Sequence, residues 1–147
     1  MKIMFICTGN ICRSAMAHHL FEKKLKDRNI KNVEVYSSGI YAEENDTSTY
    51  EAKEVMKEYG VDLNSHRATN TMKSNIKDMD LILCMTVNHK RELVYMYPNL
   101  KEKIYTLKEY VGDTENGLDI KDPWGYGLAT YRICAAEIDK CLDKISF

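Results

Sequence analysis

An apolar run, Lys2 to Ile6, opens directly into Cys7-Thr-Gly-Asn-Ile-Cys-Arg-Ser14, and from there Met16, Ala17, Leu20, Phe21 and Leu25 recur at helical spacing. Strand, loop and helix in that order put a polar loop where a strand ends and a helix begins. The alternation repeats: a strand at Val33 to Tyr36, a helix at about Ser48 to Tyr59 closed by Gly60, and a buried strand at Asp80 to Met85. A helix from Asn88 to Tyr97 stopped by Pro98, a strand from Lys103 to Leu107 and a last helix from Leu128 to Ile145 complete the reading. Four strands alternating with helices predict an α/β fold of three layers, a four-stranded parallel sheet flanked by helices. At 147 residues the whole chain, 1–147, is expected to form one domain that buries its core without disulfides or metals.

Composition narrows the partners. With 21 basic and 22 acidic residues the net charge is −1, so bulk electrostatics favour no nucleic acid. No apolar stretch is long enough to span a bilayer, and the first apolar run breaks at Thr8-Gly9-Asn10, too early for a signal-peptide core. A cytoplasmic location is the expectation. Five cysteines, an odd number, then read as reduced thiols rather than a disulfide framework.

In open parallel sheets, ligands bind where strands end and helices begin, which is the place of Cys7 to Ser14. Thr8, Gly9, Asn10, Ile11, Cys12, Arg13 and Ser14 are the expected phosphate-binding residues. Inward backbone N–H groups and a helix N-terminus suit a tetrahedral anion, Gly9 permits positive φ, and Arg13 adds a planar fork of donors. A cysteine there is favoured as thiolate, the form that attacks phosphorus and leaves a cysteinyl-phosphate for water to hydrolyse. Ser14 is placed to hydrogen-bond the sulfur. The chemistry needs neither metal nor cofactor. A Cys–Arg spacing of six is a weak signal alone; the preceding strand, the Gly-Asn turn, Ser after Arg and the amphipathic helix give it weight. Leaving-group departure needs a proton, and Asp122, followed by Pro123 and Trp124 on the long segment after Gly112, is the candidate acid. By itself Asp-Pro reads first as an ordinary turn.

Cys7-Thr-Gly-Asn-Ile-Cys-Arg-Ser14 with Asp122-Pro-Trp resembles the low-molecular-weight protein tyrosine phosphatase family across essentially the whole chain. The resemblance implies a Rossmann-like sheet with an N-terminal phosphate-binding loop. It implies Cys7 as nucleophile, Arg13 as phosphate clamp and Asp122 as acid and then base. It also makes Asn10, Ser14, Ser38 and His66 a supporting hydrogen-bond network, and Cys12 a redox-protective partner of Cys7. The expected substrate is a phosphorylated protein, with inorganic phosphate as product.

Tyr105-Thr-Leu-Lys-Glu-Tyr-Val111 and Asp122-Pro-Trp-Gly are similar to the bacterial branch that contains protein arginine phosphatases. Arginine-selective members usually carry Thr where this chain has Ile11, and tyrosine-selective ones an aliphatic residue. Ile11 and Trp124 are therefore read as the pocket walls, with phosphotyrosine the expected substrate and phosphoarginine the alternative. Gly125 between Trp124 and Tyr126 departs from the adjacent aromatics of many tyrosine phosphatases.

Thiol-dependent arsenate reductases share such a loop and are the alternative from another class. They need two neighbouring cysteines after the third strand, and only Cys84 lies there. Cys134 and Cys141, seven apart, read as packing positions on the last helix. Cys7 and Cys12 lack a second ligand pair for zinc, and His18-His19 reads as surface.

Overall fold

The computed structural model describes residues 1–146. The chain runs β1 (Lys2–Cys7), α1 (Arg13–Asp27), β2 (Glu34–Gly39), α2 (Tyr50–Lys57), β3 (Leu81–Cys84), α3 (Val87–Met96), β4 (Ile104–Thr106), α4 (Leu107–Val111) and α5 (Leu128–Asp143). All four strands are parallel, in the order β2-β1-β3-β4. The expected α/β sheet is thus present, with β1 in its middle.

Alternation along β1 shows why both faces are covered. Ile3, Phe5 and Cys7 pack into one apolar cluster with residues of α1, α2 and α5, while Met4 and Ile6 join a second with Leu93 of α3. A strand buried on both faces must be apolar throughout, as Ile3-Met-Phe-Ile6 is. Phe21 of α1 meets Phe5 edge to face at 5.7 Å, which seats the first helix on its own strand.

Most element ends fall within two residues of expectation, and two differences change the assignment. Strand β2 continues through Ser37, Ser38 and Gly39, because Phe5, Ile6 and Cys7 pair with these three polar or small residues in register. Residue 107 is not strand but the start of α4. Thr106 caps that helix by accepting from the Glu109 N–H at 3.0 Å, while the Glu109 carboxylate accepts the Thr106 N–H at 2.7 Å.

Candidate active site

The end of β1 delivers Cys7 to a tight turn. Asn10 takes φ +56°, a left-handed conformation that asparagine tolerates better than most residues, and its N–H turns back to Cys7 Sγ at 3.2 Å. Asn10 Nδ2 donates to Ser14 Oγ at 2.8 Å, so the Ser14 hydroxyl proton is free for Cys7 Sγ, 2.9 Å away. Two donors therefore converge on the sulfur. Cys12, the N-cap residue of α1, makes no side-chain cap, which leaves the first amides of the helix available to an anion.

The turn is fastened from outside. Asn10 Oδ1 accepts from Thr69 N at 3.0 Å, and the Asn10 carbonyl accepts from His66 Nε2 at 2.8 Å. Burial pushes His66 down to about 4, so its ring is neutral near pH 7. Gly39 lies directly beneath: a Cβ there would stand 2.5 Å from the Thr8 carbonyl oxygen and 2.8 Å from Asn10 N. Ser38 bonds Thr71 Oγ1 at 2.8 Å and Met4 Sδ at 3.3 Å, not the loop itself, so its part in the expected network is at most indirect.

Arg13 is buried, and its guanidinium joins the loop to the segment that carries Asp122. One nitrogen donates to the Ile120 carbonyl at 2.9 Å and another stands 3.7 Å from Asp122 Oδ2. Asp122 Oδ1 accepts from Trp124 N at 3.1 Å, which orients the carboxylate at the mouth. Cys7, Thr8, Gly9, Ile11, Cys12, Arg13, Asp122 and Trp124 line a cavity of about 210 Å³. Phosphate-loop residues form its floor, with Ile11 and Trp124 among the walls. A larger groove of about 460 Å³ between the end of α1 and β2, with Leu25, Ile30, Val33 and Tyr36 in its lining, contains no thiol and no histidine.

All five cysteines are free. Cys12 Sγ lies 3.3 Å from Tyr131 Oη and 3.7 Å from Thr49 Oγ1, and burial pushes its thiol up to about 11. Cys84, Cys134 and Cys141 are buried, and burial likewise raises each.

Several contacts escape sequence reasoning. His89, in the first turn of α3, reaches Thr8 Oγ1 at 2.9 Å. The Ile120 carbonyl, a main-chain group, leaves no trace in the sequence. His18 and His19 are not surface residues: both are half-buried, and His19 Nε2 lies 2.8 Å from His66 Nδ1.

A thiol that receives two donors beside an uncapped helix N-terminus, a buried guanidinium and a carboxylate at the rim come together at the end of an inner parallel strand. The family model for low molecular weight phosphotyrosine protein phosphatase matches residues 2–146, and the chain belongs to that family. A protein-arginine-phosphatase of Geobacillus stearothermophilus is 37% identical over 145 residues, covering 99% of this chain and 93% of the relative. The solved low molecular weight protein tyrosine phosphatase from T. tengcongensis superposes with a TM-score of 0.91 at 43% identity, over 98% of this chain and 96% of that one. A YwlE arginine phosphatase structure, a C7S mutant with a phosphorylated active-site serine, gives 0.89 at 35% identity, over 98% of this chain and 92% of that one.

Proposed function

We propose that this chain is a cysteine-dependent protein phosphatase that hydrolyses phosphotyrosine through a cysteinyl-phosphate on Cys7. The observation that carries the reading is the convergence on Cys7 Sγ of the Asn10 N–H and the Ser14 hydroxyl, beside the Arg13 guanidinium, in one cavity with Asp122. The substrate phosphoryl group sits in the loop with its oxygens on backbone amides and the Arg13 fork. Cys7 sulfur attacks phosphorus in line as the P–O bond to the phenol breaks, and Asp122 gives the departing oxygen its proton. Asp122 then takes a proton from water as that water displaces sulfur, and inorganic phosphate leaves. Charge moving onto the equatorial oxygens meets donors already in place. The phosphorylated serine in the arginine phosphatase variant supports phosphoryl transfer to the nucleophile's position in a relative of the same fold.

Cys12 serves a protective role in this reading. A peroxide oxidises the Cys7 sulfur to a sulfenic acid with release of water, and the Cys12 sulfur then attacks it and expels a second water, forming a reversible disulfide. Burial pushes the Cys12 thiol up to about 11, which keeps it protonated and slow toward electrophiles from solvent. The substrates are phosphorylated proteins of the cytoplasm, a location consistent with five free thiols; no helix among the described residues is long and apolar enough to cross a membrane.

Phosphoarginine is the second reading, favoured by the protein-arginine-phosphatase at 37% identity. Ile11 weighs against it, since a branched hydrocarbon packs on a phenyl ring but offers no polar contact to a guanidinium. The deciding experiment measures kcat/KM on matched phosphotyrosine and phosphoarginine peptides for wild type and Ile11→Thr, with Cys7→Ser as the blank. Wild type is expected to prefer phosphotyrosine and Ile11→Thr to shift toward phosphoarginine. A wild-type preference for phosphoarginine reverses the order, and undiminished turnover by Cys7→Ser removes the mechanism.

A further inference from the structure

Behind the phosphate loop, three histidines from two distant parts of the chain share one pocket. His18 and His19 follow one another on α1, His66 comes from the loop before Arg67, and one ring nitrogen from each lies within 4.8 Å of the other two. His18 and His19 stack at 4.1 Å, and His66 stands edge-on to His19 at 4.9 Å.

The outer contacts fix where the protons go. His66 Nε2 faces the Asn10 carbonyl, which only accepts, so Nε2 carries the hydrogen and Nδ1 presents a lone pair. That lone pair points at His19 Nε2, 2.8 Å away. His19 Nδ1 in turn faces the Glu22 carboxylate at 3.1 Å, another acceptor, and takes the hydrogen of a neutral ring. A neutral His19 therefore aims its own Nε2 lone pair at that of His66. Two lone pairs set this close need a positive centre between them: a second proton on His19, or a metal ion.

We propose that His18, His19 and His66 form a binding site for a divalent transition-metal ion of the zinc class, with Glu22 as the outer partner of His19. Metal-bound histidines characteristically anchor their second ring nitrogen on a hydrogen-bonding partner, and here His19 has Glu22, His66 has the Asn10 carbonyl and His18 Nδ1 has Ser37 Oγ at 2.7 Å, while His18 Nε2, 3.5 Å from Glu22 Oε2, turns from that carboxylate to the ion. Nitrogens at 2.0–2.1 Å from a tetrahedral zinc stand about 3.3 Å apart, so the His19–His66 pair opens by about half an ångström and the widest pair closes. The half-buried side chains of His18 and His19 leave a route from solvent. Glu22, whose carboxylate lies 3.1 Å from His19 Nδ1 and 3.5 Å from His18 Nε2, supplies negative charge to offset the cation. A bound ion ties α1 to the 64–70 segment through the same ring that holds the Asn10 carbonyl. It plays no part in the phosphoryl-transfer reading, and neither idea depends on the other.

The test is calorimetric titration of the full chain with zinc chloride, wild type against His18→Gln, His19→Gln, Glu22→Gln and Cys7→Ser. One equivalent is expected to bind in wild type and Cys7→Ser, with affinity at least about tenfold weaker in either histidine variant and about tenfold weaker in Glu22→Gln. Thermal unfolding without metal reports whether each variant is folded, and the exposed Glu22 keeps the test decisive if a histidine variant is not. Cobalt added as a spectroscopic probe should show an intense tetrahedral visible spectrum without a thiolate charge-transfer band. Binding lost in Cys7→Ser yet retained in the histidine and Glu22 variants, or no binding at micromolar zinc, overturns the proposal.

Discussion

His89 Nε2 and Thr8 Oγ1 stand 2.9 Å apart, joining the first turn of α3 to the residue that follows Cys7. The other ring nitrogen, Nδ1, is buried without a hydrogen-bond partner. Burial lowers His89 to about 4, and Arg13 adds to the fall against the opposing charges of Asp119 and Asp122. The folded state thus resists a proton that the unfolded chain accepts near pH 6.5. Stability from this residue is fully present above pH 6.5 and is lost as pH falls toward 4, up to about 3 kcal/mol in all. His89→Gln should flatten that part of the profile: its unfolding midpoint should drop less than wild type's between pH 7 and pH 4 in denaturant titrations. Parallel profiles would remove His89 as the source.

Gly39 has no room for a side chain, since its Cβ would meet main-chain atoms of Thr8, Gly9 and Asn10 rather than flexible side-chain ends. Gly39→Ala should cost about 1–3 kcal/mol of stability. Its greater effect should be on turnover, because a shifted Asn10 N–H no longer points at Cys7 sulfur. A kcat loss of at least about tenfold in protein that remains folded is the expected readout.

The role proposed for Asp122 makes its loss depend on the leaving group. Asp122→Asn should lower kcat on phenyl phosphate by about 10²–10⁴, and much less on p-nitrophenyl phosphate, whose phenol departs without help. Equal losses on both would argue that Asp122 only supports Arg13, which it faces at 3.7 Å.

Cys12 should be slow to alkylate. In a Cys7→Ser background, iodoacetamide at pH 7.5 should leave Cys12 unmodified by mass spectrometry, because its thiol is pushed up to about 11 by burial. Tyr131→Phe removes a hydrogen bond that opposes this rise and should make Cys12 slower still. Rapid labelling would mean that the thiol opens to solvent.

Much of the fold was legible because β1 and α1 carry different periods: Ile3-Met-Phe-Ile6 is apolar without a break, and Met16, Ala17, Leu20 and Phe21 trace one helical face. Ser37 to Gly39 hid their strand, since nothing apolar marks them: Ser37 meets His18, Ser38 meets Met4 and Thr71, and Gly39 lies against the loop. Helix α4 was missed although Thr106-Leu-Lys-Glu109 carries a capping-box signature. Cys7, Arg13 and Asp122 share one cavity, as the resemblance implied. The His18–His19–His66 cluster was invisible because its members lie 47 residues apart at the His19–His66 contact, and only the parallel crossover brings them together.

The central place of β1 also orders events in time. Cys7 precedes Ile120 and Asp122 by more than a hundred residues, and its neighbour β3 begins only at Leu81. At roughly 5–20 residues per second, a ribosome takes about 6–23 seconds to cover that stretch. During each round of translation Cys7 is made many seconds before Asp122, so a nascent chain holds the loop well before it holds the carboxylate that shares its cavity.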